Sequence, residues 1–222
     1  MTATAMPAIR LAAKVGDSVS GTQLEKQTQQ AVRGKSAHIT HTAGAQATQV
    51  AAGVVSYGTD GKAATKLTEQ IAGEKVNLVY VGGVLYLNVP SQQSGWLAIR
   101  PDGTDSLSKQ FAPLLATMSQ SMNGQTVGLT GVTWKVTSVT TSAVTYRTHL
   151  TAAMVADESA RLGLGKLVNS SPKDEDIVEV ISTSGLPQST EVLAGGTSTS
   201  QMHYTDWGPA ITITAPANST PA

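Results

Sequence analysis

Residues 76–89 constrain the fold more than any other segment, because two apolar, β-prone runs flank Gly82-Gly83. A Gly-Gly pair supplies the positive φ angles that a two-residue primed turn requires, so the segment predicts a β-hairpin. Folding about this turn places a uniformly apolar set on one face: Val76, Leu78, Tyr80, Leu85, Leu87 and Val89. A slip of one residue would mix the two faces. The sequence therefore predicts a strand pair whose apolar face must be covered.

The composition of the 222-residue chain argues against several classes of function. The formal net charge is zero and only 14% of the residues are charged, which gives no electrostatic footprint for nucleic acid. The sequence has no cysteine, which excludes disulfides, thiolate metal sites and a cysteine nucleophile. No apolar run reaches the length of a membrane-spanning helix.

Alternating and helical patterns divide the chain into many strands and a few helices. Capping-box signals in residues 20–25 predict a helix that ends near Gly34. An apolar stripe over residues 107–122 predicts a second helix, with a kink or a break near residues 109–111 because Pro113 lies inside the stripe. A weaker pattern predicts a third helix at residues 157–168. Besides the hairpin, alternation predicts strands at residues 37–42, 48–57, 63–71, 96–99, 132–139, 144–151, 177–181, 190–193, 200–204 and 211–214.

The short connections between these strands predict the fold class and the domain organisation. Roughly ten or eleven closely connected strands predict an antiparallel sheet, with the few helices covering its apolar side, which is an α+β fold. In this interpretation residues 20–216 form one domain. Residues 1–19 are expected to be a disordered leader or tether, and residues 217–222 a frayed tail.

The order of elements over residues 20–216 resembles the LppX/LprG-type lipoproteins of actinobacteria. Three stretches carry the resemblance: residues 77–89 followed by Gly95-Trp96, then Gly185-Leu-Pro187, and the segment Tyr204-Thr-Asp-Trp-Gly-Pro-Ala-Ile-Thr-Ile-Thr-Ala-Pro216. Each motif is short, and their order and spacing together make the resemblance specific. The family is similar in architecture to periplasmic lipoprotein carriers and to the sensor domains of envelope-stress regulators.

This resemblance implies a fold, a ligand and a location. The implied fold is an antiparallel half-barrel β-sheet wrapped around a few helices, with an apolar cavity that holds acyl chains. The implied function is that of a non-catalytic cell-envelope lipoprotein that binds or carries acylated lipids or glycolipids. Such a protein is exported and attached by an N-terminal lipid anchor to the outer face of the cytoplasmic membrane. The sequence has no lipobox cysteine, and we expect the anchored residue to precede residue 1.

The composition also favours a cavity, independently of the resemblance. Many inward positions are Val, Ala, Thr or Gly and the chain has a single Phe, so a large sheet lacks the bulky side chains that fill an interior. We predict that the ligand lies between the hairpin, the second helix and a later strand. The predicted lining is Leu78, Tyr80, Leu85, Leu87, Leu107, Phe111, Leu115, Met118, Trp134 and Val136. A closely packed core would produce the same apolar stripe on the helix, and this alternative stays open here.

Candidate catalytic and metal motifs have simpler interpretations. His38 and His41 are three positions apart in a predicted strand, so they point to opposite faces and cannot chelate one ion as a local pair. The acidic run at residues 174–176 lacks the alternating ligands and the glycine of a calcium loop. Residues 163–166 lack P-loop spacing, and the sequence has no G-x-S-x-G elbow. We expect no enzyme, cofactor or metal, although a Ser-His-Asp triad from distant segments is recognised only by its geometry.

Two further interpretations concern the end of the chain and the function as a whole. Residues 204–209 predict a structural corner, with Asp206 in a turn and the indole N–H of Trp207 bound to a partner. The alternative function is an exported protein-interaction or sensor domain that has no lipid ligand. The first reading expects an acyl lipid or glycolipid as the partner and the second expects a protein.

Overall fold

Thirteen strands and three helical segments make up the described part of the chain, which covers residues 13–71, 73–112, 115, 131–161 and 171–222 in a computed structural model. The strands are β1 (Ser18–Ser20), β2 (Lys35–Ala43), β3 (Thr48–Tyr57), β4 (Ala63–Ile71), β5 (Glu74–Val81), β6 (Val84–Asn88), β7 (Trp96–Ile99), β8 (Thr133–Val139), β9 (Ala143–Leu150), β10 (Glu175–Ser182), β11 (Pro187–Ala194), β12 (Thr197–Pro209) and β13 (Ser219–Pro221). The helices are α1 (Gly21–Val32), α2 (residues 106–112, with Leu115 also helical) and α3 (Ala152–Arg161).

All of these strands belong to one open sheet that does not close into a barrel. Its order is β1-β8-β9-β10-β11-β12-β2-β3-β4-β5-β6-β7-β13. Two meanders, β2 to β7 and β8 to β12, meet where β12 pairs antiparallel with β2. Only the pairing of β13 with β7 is parallel within the described sheet. The predicted α+β class with a large antiparallel sheet is therefore confirmed.

The hairpin of β5 and β6 has the predicted register. Tyr80 pairs with Leu85 and Leu78 with Leu87. The turn glycines adopt left-handed backbone angles, with φ of 62° at Gly82 and 81° at Gly83. Glycine adopts such angles without strain because it has no Cβ, so the glycine pair favours this two-residue turn and the register that follows from it.

Local capping signals set the helix starts. The Ser20 hydroxyl accepts a hydrogen bond from the Gln23 N–H at 3.2 Å and caps α1 as predicted. Gly34 follows the helix with a φ of 69°. At α2, the Asp105 carboxylate accepts a hydrogen bond from the Ser108 N–H at 2.7 Å. Hydrogen bonds from Ser108 hold the pKa of Asp105 below its ordinary value.

The second and third helices differ from the sequence prediction in their boundaries. The third helix begins at Ala152, earlier than the predicted residue 157, because the Asp174 carboxylate accepts a hydrogen bond from the Ala152 N–H at 2.8 Å. Its predicted continuation to residue 168 lies outside the described residues. The predicted break near residues 109–111 is not present, because residues 106–112 form one uninterrupted helical segment.

The C-terminal segment departs most from prediction. β12 does not end at Tyr204 but continues to Pro209 through a bulge. Residues 211–214 are not a strand, because the backbone of Ile211 bonds to the Ser56 side chain instead of a neighbouring strand: its N–H donates to the hydroxyl at 3.1 Å. The sequence predicts a frayed tail from residue 217, whereas Ser219–Pro221 pairs with β7.

Both α1 and α2 pack on one side of the sheet, which we call the inner face. The α1 cluster consists of Leu24 with Val132, Trp134, Val136, Val144, Tyr146, Leu150 and Ile181. The α2 cluster consists of Tyr80, Leu85, Ile99 and Leu115, with Leu78, Leu87 and Phe111 packed against them. Cross-strand partners lie on the same face, and an unbroken series of them connects Tyr146 to Val76. The two clusters are therefore opposite ends of one inner face.

Candidate functional site

Between the two clusters the inner face carries a central surface, built by β10–β12 and β2–β4. Its members follow from the strand register: Ile39, His41, Ala51, Leu67, Glu69, Ile177, Glu179, Thr190, Val192 and Met202. Leu67, Val192 and Met202 are only half-buried, in contrast to the core of either cluster. A cavity of about 50 Å³ lies here, lined by Ile39, Thr40, His41, Ala51, Leu67, Glu69 and Met202. This volume fits about one or two water molecules, so a longer ligand has to lie along the surface.

Six of the predicted site residues meet in the α2 cluster. Leu78, Tyr80, Leu85 and Leu87 of the hairpin pack with Phe111 and Leu115 of α2. Leu115 is fully buried, with 0% of its surface exposed, so helix and hairpin are in direct contact at this point. Leu107 is half-buried at the start of α2, and Met118 lies outside the described residues.

The other two predicted residues, Trp134 and Val136, lie at the opposite end of the inner face. Both are 2% exposed and pack in the α1 cluster with Leu24. The strands from β10 to β4 separate them from the α2 cluster. The structure therefore divides the predicted lining between two places, with the central surface between them. Sequence periodicity shows which residues face inward but does not show which helix covers each strand.

Glu179 is a charged residue of the central surface that the sequence analysis missed. It is half-buried and lies directly opposite Tyr146 of β9. Burial, and to a lesser extent the nearby Glu25 carboxylate, raise the pKa of Glu179 to about 7. Its signal in the sequence is a carboxylate at an apolar position of the alternation, between Ile177 and Ile181 on one face of the strand.

Three stacked aromatic side chains border the central surface near the β10–β11 turn. Trp207 stacks against Tyr57 and Tyr204, with ring centroids 6.2 and 6.0 Å apart. Its indole N–H donates to the Pro187 carbonyl at 2.8 Å, which confirms the predicted partner. Asp206 is not in a turn but in the bulge of β12, with a φ of 54°. Burial raises the pKa of Tyr57 to about 12 and raises that of Tyr204 also.

A second, more open site lies across β8–β10, lined mostly from the outer side of the sheet. It is a groove of about 480 Å³ lined by Gly131, Val132, Thr133, Lys135, Thr137, Arg147, Thr148, His149, Met154 and Asp176. Asp176 accepts hydrogen bonds from Arg147 at 2.7 Å and pairs with His149 at 3.1 Å. The bond from Arg147 lowers the pKa of Asp176. Arg147 and Asp176 thus form an ion pair in this groove.

The remaining histidines do not assemble a metal site. His38 lies 3.5 Å from Asp206, and His41 bonds to the Ser200 hydroxyl at 2.9 Å on the other face of β2, as predicted. In the part of the chain that the structure describes, no three His, Asp or Glu side chains are grouped so that they could hold a metal ion. None of the helices in the described ranges is both long and apolar enough to span a bilayer.

The fold is similar to that of the Mycobacterium tuberculosis lipoprotein LppX. The two structures share a TM-score of 0.51 over 87% of this chain and 97% of LppX, at 14% sequence identity. CT021, a hypothetical protein of Chlamydia trachomatis, matches with a TM-score of 0.40 and 9% identity, over 90% of this chain and 97% of that protein. No protein-family model matches the sequence, and no curated protein does. The resemblance to LppX-type proteins is thus confirmed for the fold.

Proposed function

Starting from the LppX-like fold, we propose that this protein is a non-catalytic carrier that binds acylated lipids or glycolipids along its inner face. The observation that carries the proposal is the central surface, which lies between the two helix-covered clusters. Val192 and Met202 stay half-buried there, and Leu67 is half-buried against Ile39. Apolar side chains left accessible on a concave face are typical of a ligand site. The resemblance of the sequence to LppX/LprG-type lipoproteins supports acyl chains as the ligand.

The energetics of chain burial support the same ligand class. Each CH₂ group removed from water contributes about 0.8 kcal/mol, so a long acyl chain gains on the order of 10 kcal/mol by lying on this surface. Aliphatic side chains and a flexible Met adapt to a chain that has no fixed shape. In this proposal the chain runs across β10–β4 with its end against the α2 cluster. Leu107 and the predicted lining residues of that cluster, Leu78, Tyr80, Leu85, Leu87, Phe111 and Leu115, then contact the chain end. Met118, outside the described residues, stays a predicted lining residue.

The proposed location is the cell envelope. LppX is a lipoprotein by name, which supports export and an N-terminal lipid anchor for a chain of the same fold. An anchor at the outer face of the cytoplasmic membrane would hold the inner face near its lipid source. Trp134 and Val136, which lie under α1, then serve the protein core rather than the acyl chain.

One observation favours the alternative of an exported protein-interaction or sensor domain. The groove beside Arg147, His149 and Asp176 is larger than the cavity on the central surface, at about 480 Å³ against about 50 Å³. Its lining is mixed and hydrogen-bonded, which suits a polar peptide surface better than an acyl chain.

The experiment that separates the two functions measures uptake of an acyl chain. Purified protein is extracted with organic solvent, the extract is analysed by mass spectrometry, and the stripped protein is titrated with a pyrene-labelled acyl chain. A lipid carrier yields extractable lipid and saturable binding. An interaction domain yields neither result, and that outcome would remove the lipid function.

A matched pair of variants then locates the binding. Val192→Trp places a bulky ring on the central surface, whereas Val178→Trp places it on the outer face of the neighbouring strand. We expect Val192→Trp to reduce probe affinity at least tenfold and Val178→Trp to leave it unchanged. Equal binding by both variants would place the acyl chain elsewhere. Circular dichroism spectra of the two variants show whether both are folded.

A further inference from the structure

Two buried polar atoms beneath α1 have no partner in the described part of the chain: the Tyr146 hydroxyl and the Gln27 side-chain oxygen. Tyr146 is 0% exposed, so its hydroxyl is shielded from bulk water in the ligand-free protein. Nearly all buried polar groups in folded proteins are hydrogen-bonded, and leaving one unpaired is costly. Unpaired atoms of this kind indicate a site that something else completes.

The Tyr146 hydroxyl belongs to the strand next to Glu179, and Gln27 is on α1, which packs on the same cluster. Tyr146 is the cross-strand partner of Glu179 on β9. Burial is the main cause of the raised pKa of Tyr146, and the Glu179 charge raises it further. Gln27 lies one turn along α1 from Leu24, which packs in the same cluster as Tyr146. Glu179 itself is half-buried, so the group is reachable from the central surface. The three side chains bring a carboxyl, a hydroxyl and an amide to the end of the proposed acyl site.

We propose that Gln27, Tyr146 and Glu179 form a polar site that binds an uncharged, hydroxyl-bearing headgroup and excludes anionic ones. A hydroxyl can accept a hydrogen bond from the Tyr146 O–H and donate its own proton to the Gln27 oxygen or the Glu179 carboxyl. An alkyl ammonium only donates, so it cannot satisfy the Tyr146 proton. This inference rests on the proposed function, since it assigns the headgroup end of the same inner-face site.

The charges around the site oppose an anion. Glu179 has Glu25 of α1 beside it, Tyr146 of β9 opposite it and Tyr204 of β12 within electrostatic reach. No cation lowers the pKa of Glu179 within the described chain. A phosphate or carboxylate would meet one or two carboxylates in a poorly hydrated place, where like charges repel strongly. The pKa of the Glu179 carboxyl is about 7, so this repulsion should increase as the pH rises and the carboxyl loses its proton.

The experiment compares three ligands that share one acyl chain. Oleoyl glycerol, oleoyl lysophosphatidate and oleylamine compete with the pyrene-labelled acyl chain for the stripped full chain. We expect oleoyl glycerol to bind best, and Tyr146→Phe to weaken it by roughly three- to tenfold, as the loss of one hydrogen bond predicts. The same substitution should leave the pyrene probe unchanged. Tyr86 packs with Val79 and Ala98 on the other side of the sheet, in what we call the outer-face cluster. Tyr86→Phe is therefore the matched control and should change neither ligand.

Glu179→Gln tests the exclusion of anions with a second readout. In the parent protein, the preference for oleoyl glycerol over oleoyl lysophosphatidate should grow between pH 6 and 8, roughly as the carboxyl ionises. In Glu179→Gln that growth should shrink to the part that comes from the second ionisation of the phosphate, whose pKa is about 6. Preferred binding of lysophosphatidate or oleylamine by the parent protein, or a Tyr146→Phe variant with unaltered selectivity, overturns the headgroup site. Failure of all three ligands and of the probe overturns the proposed function instead.

Discussion

The α2 cluster and the α1 cluster lie on the same face of one sheet, yet only the α1 end holds buried polar atoms without partners in the described chain. At the α2 end, Leu115 and Ile99 are almost completely buried among other apolar side chains. At the α1 end, Tyr146 is equally buried but keeps an unpaired hydroxyl, and Glu179 lies beside it. In the proposed carrier this difference would give the ligand a direction, with its hydrocarbon at the α2 end and its polar group at the α1 end.

Truncation at the apolar end should have the largest effect on stability. Leu115→Ala removes a fully buried side chain from between the helix and the hairpin, so we expect a loss of roughly 2–5 kcal/mol in the free energy of unfolding. Leu67→Ala, on the half-buried central surface, is the matched control and should cost about 1 kcal/mol or less. Urea denaturation measures both. Similar losses for the two variants would mean that the central surface is packed as tightly as the cluster.

At the α1 end of the inner face, the Glu179 carboxyl should make the free energy of unfolding depend on pH. The pKa of Glu179 is about 7 in the folded protein against an ordinary 4.5, so the proton on Glu179 favours folding. This contribution is complete below pH 4.5 and is lost as the pH rises through about 7. Relative to Glu179→Gln, the parent protein should therefore lose roughly 1–3 kcal/mol over this window.

This prediction concerns the difference in stability between the parent protein and Glu179→Gln at each pH. Burial raises the pKa of Glu69 and Glu175 as well, and both remain in the variant, so their contributions cancel. Melting temperatures of the two proteins at several pH values give the difference directly. A constant difference between pH 4 and 8 would show that Glu179 titrates like an exposed carboxylate.

Overpacking should separate the α1 cluster from the central surface. Val136 is 2% exposed and packs with Trp134 and Leu24, so Val136→Trp should destabilise by about 1–3 kcal/mol. The same ring at Val192 has accessible space in front of it and should cost less than half as much. Thermal unfolding of both variants provides the measurement. A stable Val136→Trp protein would show that the space lies under α1 after all.

The smallest expected effect is a gain in stability. Tyr146→Phe removes a buried hydroxyl that has no partner in the described chain, so the variant should be more stable by about 1 kcal/mol in the absence of ligand. Tyr86→Phe, the control from the outer-face cluster, should not show this gain. Chemical denaturation of ligand-free protein tests the pair. A loss of stability in Tyr146→Phe would mean that the hydroxyl is satisfied by bound water.

Features encoded locally could be predicted from the sequence. The register of β5 and β6 follows from Gly82-Gly83, and the start of α1 follows from the Ser20 cap, because each depends on neighbours a few residues away. The opposite faces of His38 and His41 follow from strand alternation in the same way.

Features that depend on distant partners could not be predicted. β12 pairs with β2 although the two strands are more than 150 residues apart in the sequence. Alternation shows which residues share a face of a strand but does not show which strand is its partner. The separation of Trp134 from Leu115 depends on which helix covers which strand. For Glu179, the irregular alternation was a readable signal, but its partner Tyr146 becomes meaningful only once β9 and β10 are paired.

The two edges of the sheet have a consequence for the behaviour of the protein in concentrated solution. Both outermost strands, β1 and β13, are only three residues long, and β13 includes Pro221, which has no N–H to donate. Short edges and an edge proline give an incoming strand little template for pairing. Two copies are therefore poorly equipped to join sheets edge to edge. A protein with so much β-structure should resist aggregation through its edges even when its inner face is empty.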